Sequence, residues 1–415
     1  MTTKHTADKV ADSLLCLIAF CMPWAKPALP LLFALFGGVQ LWRYAMHRKI
    51  CRPYCAIPLW TSITTYVLLV VYALCGFAND RANDILEIKF SYIAIPLMAY
   101  LIAPIHSAQM ERLYKMFVLG CLGFDIIAIA HGAILFHQTG DAANLYYQGL
   151  SWYIHPSYQA MYHCFAIYLL ARGILFKPLF GSSNIISFFL VIIFCGMMGA
   201  LASKAGLVCL IAMGAGFILH SWVQRRAVKY ITILTIASIV IVALINAALA
   251  GVSSRITEAG KDVGSLVSSS SEEVMHTTAY SSVTLRIVTW SSAFQILIAN
   301  PFGVGTGKAS SYLDDYYISH EQPYAASLHL NAHQQFLQHG LDIGWMGTLL
   351  LILTFYSLGR HLVRAHNYSG VMFCLLCFVN FLIESMLETQ AGIIFFFFWL
   401  MVYCRAEQEV ESSAS

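Results

Sequence analysis

Residues 331–347 read NAHQQFLQHGLDIGWMG, a polar start that leads directly into an apolar segment. His333 and Gln334 therefore stand where this segment would enter a lipid bilayer. Polar groups at that depth are costly unless they face protein or water. We interpret the polar start as the lining of a cavity at the water interface; the alternative is a merely solvated helix end.

The composition indicates that such segments do cross a membrane. Hydrophobic residues make up 59% of the 415 residues and charged residues only 11%, and the mean hydropathy is +0.69, well outside the range of soluble globular proteins. A hydrocarbon core of about 30 Å requires about 20 apolar residues per helix. Because no alternating pattern of a membrane β-barrel is present, the spans are predicted to be helices.

We predict an all-α fold, a polytopic transmembrane helix bundle of about 12 spans, with a large loop that contains short helices. The first two spans are short and are alternatively one re-entrant pair. The predicted spans lie near residues 10–24, 27–42, 56–77, 90–104, 116–137, 155–176, 184–202, 205–223, 230–252, 336–358, 370–388 and 391–404.

Lys and Arg residues indicate the orientation, because short loops rich in them stay in the cytoplasm. With the N-terminus inside, sixteen of the 24 fall on the inner side. Both termini are then cytoplasmic, and the N-terminal segment is predicted to be a retained helix and not a signal peptide. The net charge of +3 indicates little about partners, because the topology explains where the cations lie, and no nucleic-acid signature is present.

The sequence divides into three parts: residues 1–252 with the first nine spans, an outer loop at 253–335, and residues 336–415 with the last three spans and a short cytoplasmic tail. Residues 264–282 are Ser-rich and predict a mobile loop or a simple linker. An amphipathic helix is predicted from Leu285 to Ile298, ending at Asn300 and Pro301. Arg286 and Trp290 share one of its faces.

Three glycines follow this helix, and a lone lysine precedes the outer loop. Gly303, Gly305 and Gly307 form either a plain turn or a turn whose amides approach a ligand closely. Lys204 lies between two apolar runs, where it either snorkels to the interface or binds an anion. The cysteines lie mostly within apolar runs and are interpreted as packing residues, so neither a metal nor a cofactor is predicted.

Three motifs resemble the O-antigen ligase and O-antigen polymerase superfamily. They are SKAGL at residues 203–207, Arg286-x3-Trp290 followed by NPFGVGTG, and the spacing of His333, Gln334, Gly344 and Gly347. The resemblance covers roughly residues 200 to 350 and implies a polytopic protein with a large periplasmic loop. Where the family usually has arginine, this chain has Lys204, which keeps the charge without the planar two-point contact.

The resemblance implies an inverting, metal-independent glycosyl transfer from undecaprenyl pyrophosphate at the periplasmic face of a Gram-negative inner membrane. In the ligase branch, favoured by the histidine motif, the acceptor is a sugar hydroxyl of lipid A-core. In the polymerase branch it is another lipid-linked repeat unit. A transporter or flippase for lipid-linked sugars is the alternative from another class, since a helix bundle with outward-facing charges is also typical of a transport pathway.

Attack by a sugar hydroxyl requires a group that takes its proton, and histidines titrate in a suitable range. His333 is the candidate general base. Arg286 and Lys204 are candidate clamps for the pyrophosphate, and Gln334 either orients oxygens or only caps a helix. Gly340, Gly344 and Gly347 are expected to allow close helix packing. Weaker site candidates are Arg81, His155, His320, His329 and His339, together with the intramembrane acids and histidine Asp125, His131, Glu384 and Glu388, which are otherwise polar bundle contacts.

Overall fold

The computed structural model describes residues 2–47, 50–76, 81–176, 178–181, 184–223, 228–249 and 282–407. Within these ranges the chain is helical, apart from connecting segments and an isolated β-bridge between Ile105 and Ala406. The all-α prediction is therefore confirmed. The predicted Ser-rich loop lies outside the described residues up to residue 281.

The helices of the N-terminal half are, in chain order, α1 Thr2–Cys21, α2 Leu29–His47, α3 Ile57–Leu74, α4 Ala82–Ile88, α5 Ser91–Met98, α6 Ser107–Thr139, α7 Tyr147–Leu150, α8 Pro156–Leu175, α9 Ile185–Leu201, α10 Lys204–Val223 and α11 Val228–Leu249. After the undescribed part come α12 Ser282–Ala299, α13 Ala309–Ser319, α14 Pro323–Ser327, α15 Gln335–Arg364, α16 Tyr368–Phe381 and α17 Gln390–Arg405.

Membrane character is carried by helices that are both long and apolar. Within the described ranges, five segments are long and apolar enough to cross a membrane: Lys26–Met46, Ile57–Leu74, Ser107–Thr139, Lys204–Trp222 and Gln335–Arg364. Several other apolar helices, among them α9, α16 and α17, are shorter. The number of about twelve spans remains a prediction.

One predicted span is wrong. Residues 90–104 do not form a single membrane-length helix, because α5 covers only Ser91–Met98 and contains Pro96. Eight residues rise about 12 Å, less than half of a hydrocarbon core. Lys89, in the connection between α4 and α5, is buried inside the protein.

The centre of the bundle is α17. All of its residues from Ala391 to Arg405 are buried, which is the pattern of a helix surrounded by protein on every side. Aromatic side chains from α6, α8 and α16 pack on Phe395 and Trp399 of this helix. The core is thus built around the last helix, and the other helices surround it.

Helix α15 is broken where Ile343 and Gly344 leave the helical conformation. The loop after α12 fits into this break: the backbone amides of Val304 and Gly305 donate to the carbonyls of Leu341 and Asp342 over 2.7 and 3.2 Å. A side chain on Gly344 would meet the backbone of the loop at 2.5 Å. The glycine-rich loop therefore completes the helix break, and these two amides are not available to a ligand.

Candidate functional site

Several helix ends meet at one end of the bundle: the start of α8, the starts of α10 and α15, and the segment after α16. At the opposite end the basic residues form ion pairs, as in Arg43–Asp8, Arg112–Asp12 and Arg172–Glu111. The sequence-predicted site residues Arg286 and His333 lie at the first end, and both contact Glu384.

Glu384 follows α16 and receives its partners on both oxygens. Arg286 donates from Nη2 to Oε1 over 2.5 Å, and the Ser157 hydroxyl donates to the same oxygen over 3.2 Å. His333 Nδ1 lies 3.3 Å from Oε2. One carboxylate thus joins a guanidinium from α12 with an imidazole from the segment before α15.

Arg286 is directed to Glu384 by the predicted amphipathic helix, which is α12. The Arg286 Nε also donates to the carbonyl oxygen of Ile383 over 3.2 Å, so two nitrogens of Arg286 donate hydrogen bonds to the segment after α16. One turn later, Trp290 Nε1 donates to the carbonyl oxygen of His333 over 3.0 Å. The predicted common face of Arg286 and Trp290 is the face that meets His333 and Glu384.

His333 is held in an unusual backbone conformation, with a φ of +45°. A left-handed conformation costs energy for a residue with a side chain, and such strain often occurs at functional sites. Here the Asn331 side chain accepts from the His333 amide over 2.9 Å, and the following amide, of Gln334, donates to Ser385 Oγ over 3.1 Å. These bonds fix the imidazole beside Glu384.

The three side chains differ in exposure. Glu384 is 9% exposed, whereas Arg286 and His333 remain 20% and 29% exposed. Burial alone would raise the pKa of Glu384, but the hydrogen bond with His333 and the charge of Arg286 lower it to about 2. Glu384 is therefore an anion at physiological pH, and the guanidinium and the imidazole that contact it are both reached by solvent.

Lys204 is placed at the same end of the bundle but on another helix. It is the first residue of α10, after Ser203, whose hydroxyl caps the helix by accepting from the Gly206 amide over 3.1 Å. A side chain on Gly206 would meet Ala160 Cβ of α8 at 2.5 Å. The SKAGL motif thus places Lys204 beside the start of α8, which carries Ser157.

Gln334 acts as the N-cap of α15, because its side-chain oxygen accepts from the Leu337 amide over 2.6 Å. The sequence leaves two roles open for Gln334, orienting oxygens or capping a helix, and capping occupies this side-chain oxygen. A phosphate role of Gln334 remains only a prediction.

The secondary candidates separate in space. His155 caps α8 by accepting from the Ser157 amide over 3.3 Å and lies within electrostatic range of Glu384, His333 and Arg286. His329 instead binds Asp314 of α13 over 2.9 Å and is 77% exposed. His320 stacks on Tyr316, and Arg81 is exposed at the start of α4. Among these four, His155 is the one that the described contacts place at the site.

The central role of Glu384 and the parts played by Ser157 and Ser385 were missed by the sequence reasoning. From the sequence alone, Glu384 is only one of several intramembrane ionisable residues. It is 98 positions from Arg286 and 51 from His333, so no local pattern joins them. The signal available in the sequence is an acidic residue at the end of an apolar run, because a charged side chain there needs a polar or charged partner.

Part of this site lies within a segment that matches a known family, and part of it follows that segment. Residues 164–352 match a family model described as O-antigen ligase. The matched segment includes Lys204, Arg286 and His333 and ends before Glu384. No curated protein matches the chain. The resemblance to the O-antigen ligase and polymerase superfamily is confirmed, and the match supports a function of that type.

Proposed function

We propose that this chain is an O-antigen ligase that transfers a glycan from undecaprenyl pyrophosphate to a sugar hydroxyl of lipid A-core, by inversion and without a metal. The observation that supports it is the partly exposed pair of Arg286 and His333 on the buried carboxylate of Glu384, within a chain that matches the family model.

His333 is the proposed general base. Its Nδ1 faces Glu384, so Nε2 is the nitrogen that accepts the proton of the acceptor hydroxyl. The acceptor oxygen then bonds to the anomeric carbon, and the bond from that carbon to the pyrophosphate oxygen breaks. Glu384 stabilises the imidazolium that forms, as a carboxylate beside a catalytic histidine does.

Arg286 and Lys204 are proposed to neutralise the departing pyrophosphate. The guanidinium is fixed by its bonds to Glu384 and Ile383, so it needs little reorganisation when charge develops on the leaving group. Lys204 stands in the first turn of α10, where a cation is unfavourable against the helix dipole. A phosphate bound there would meet both the lysine charge and the backbone amides of the helix start.

The proposed location is a Gram-negative inner membrane, with this site on the periplasmic side and both termini in the cytoplasm. The paired arginines at the opposite end of the bundle support this orientation, because basic residues collect on the cytoplasmic side.

A transport role receives less support from the fold. Discontinuous helices are typical of transporters, and α15 is discontinuous. However, the loop with Val304 and Gly305 fills the break and satisfies its carbonyls. The break is thus occupied by protein.

The direct test uses purified protein in detergent, with lipid-linked glycan and lipid A-core, and with neither nucleotide nor metal. We expect product formation and a loss of about 10²- to 10⁴-fold in kcat for His333→Ala. His329→Ala is the matched control, because His329 binds Asp314 away from the site, and it should keep full activity. Full turnover by His333→Ala would exclude the proposed base.

A deletion strain separates the ligase from a polymerase of the same superfamily. Loss of a ligase leaves the core uncapped and lets lipid-linked polymer accumulate, whereas loss of a polymerase leaves core with one repeat. Normal lipopolysaccharide ladders would exclude both.

A further inference from the structure

A second ionic cluster lies beside the candidate site and is formed by Lys89, Asp342 and Glu388. Lys89 Nζ lies 2.8 Å from Asp342 Oδ2 and 2.9 Å from Glu388 Oε1. The lysine side chain is 1% exposed, and the two acids are 6% and 14% exposed. The cluster joins the connection between α4 and α5 to the break in α15 and to the short turn before α17.

This cluster is costly for a membrane protein, because each buried charge loses its hydration. Burial lowers the pKa of Lys89, but the two carboxylates raise it above its usual value, so the lysine keeps its proton. Apolar residues of similar size would fill the space at lower cost. What the ions provide is a specific geometry, because each contact fixes one atom of one element against one atom of another.

The cluster is connected to the candidate site through Gln335. Gln335 Nε2 donates to Glu388 Oε1 over 3.1 Å, and its Oε1 accepts from the Leu387 amide. One residue earlier, the Gln334 amide donates to Ser385. Residues 384–388 are therefore fastened to the start of α15 at Ser385, Leu387 and Glu388, and Glu384 is the first residue of that segment.

We propose that Lys89 and Glu388 are positioning residues: they fix residues 384–388 so that Glu384 meets Arg286 and His333 in the geometry needed for transfer. This inference rests on the proposed function. Neither residue touches the substrates; both act through the segment that carries Glu384. An error of about 1 Å in a reacting group costs about 100-fold in rate, which is the order of effect that such a tether prevents.

The test compares Glu388→Ala with Glu388→Gln. In Glu388→Ala, Lys89 keeps Asp342 as a partner, so folding should be retained while the tether is lost. In Glu388→Gln, the amide oxygen still accepts from Lys89 and Gln335. We expect Glu388→Ala to lower kcat by about 10- to 100-fold with a change in the KM of the lipid donor below about 3-fold, and Glu388→Gln to recover most of kcat. Unchanged kcat in Glu388→Ala would overturn the proposal.

A second measurement is independent of activity. Hydrogen exchange of the Leu387 amide should be faster in Glu388→Ala than in wild type. The matched control is Glu111→Ala, which removes an ion pair with Arg172 at the opposite end of the bundle and should leave that amide unchanged. If wild-type protein transfers no glycan, the proposed function fails, whereas the tether is still judged by exchange. Equal exchange in Glu388→Ala and wild type would overturn the tether.

Discussion

Glu384 and Glu388 lie four residues apart on one segment, yet their surroundings are opposite. Glu384 is one carboxylate between a guanidinium and an imidazole, and its pKa is lowered. Glu388 shares one lysine with a second acid, and its pKa is raised, with burial as the largest cause. The same residue type thus serves two purposes, according to the groups that surround it.

The difference also concerns exposure. Arg286 and His333 remain in partial contact with solvent, whereas Lys89 is almost fully enclosed. A solvent-accessible guanidinium beside an imidazole is suited to an anionic substrate and to proton transfer. An enclosed cation can serve only the protein itself, which is why we assign chemistry to the first cluster and positioning to the second.

Removing the enclosed cation should have the largest effect. Lys89→Met leaves Asp342 and Glu388 buried without a counter-ion, and we expect a loss of about 3–5 kcal/mol in stability, measured by thermal unfolding in detergent. Adding Glu388→Gln to this variant should restore part of the loss. Lys9→Met, at an exposed position, is the control, and an equal melting temperature for both single variants would contradict the buried charge cluster.

Removing the acid of the exposed cluster should affect activity more than stability. We expect Glu384→Ala to lower kcat by about 10²- to 10³-fold, because Arg286 and His333 lose the group that orients them, while both can still turn to water. Glu384→Gln should lose nearly as much, since a neutral amide does not stabilise an imidazolium. A kcat within about 3-fold of wild type in either variant would remove Glu384 from the site.

The two acids should also differ in their response to acid. The folded pKa of Glu384, about 2, lies below its ordinary value of 4.5, so its stabilising contribution is complete above pH 4.5 and is lost as the pH falls toward 2. The contribution is of the order of 1–3 kcal/mol. Melting temperatures of Glu384→Gln should therefore fall less steeply over this range than those of wild type.

Glu388 supplies the contrast in that titration. Because its pKa is raised, the folded state binds its proton more tightly, so acid does not remove a stabilising contribution there. Between pH 4.5 and 2, Glu388→Gln should lose as much stability as wild type, whereas Glu384→Gln should lose less. Two variants with identical acid profiles would show that the surroundings of the acids are alike.

The smallest effect is expected at Ser157. Its hydroxyl contributes one hydrogen bond of 3.2 Å to Glu384, so Ser157→Ala should cost about 1 kcal/mol, or less than about 10-fold in kcat. Ser187→Ala, at a buried position of α9, is the control. A loss as large as that of Glu384→Ala would give Ser157 a role of its own.

The sequence predicted those elements whose signals are local. Apolar spacing and the Asn300–Pro301 stop predicted the helix from Leu285 to Ile298, and α12 covers Ser282–Ala299. The span predicted from residue 336 likewise starts within one residue of α15, which begins at Gln335. Arg286 and Trp290 share the predicted face because four residues complete about one helical turn.

Contacts between distant segments could not be predicted in this way. The pairing of Arg286 with Glu384 depends on how α12 packs against the end of α16, and one sequence holds no periodicity for that. The false span at 90–104 has a related origin: apolar residues such as Tyr92, Ile95 and Ile102 are buried against protein, and apolar composition alone does not separate them from residues that face lipid. The sequence leaves a plain turn and a ligand-binding turn open for Gly303 and Gly305, because their partner, the break in α15, is far away in the chain.

That break links two distant positions of the sequence. Gly303 and Gly344 approach so closely that a side chain on Gly303 would meet the Gly344 nitrogen at 2.4 Å, and one on Gly344 would meet Phe302 at 2.5 Å. Both contacts are with backbone atoms, so neither position accepts a side chain while the loop fills the break. A side chain at either glycine would displace the loop from the break and separate the carbonyls of Leu341 and Asp342 from the amides that now donate to them.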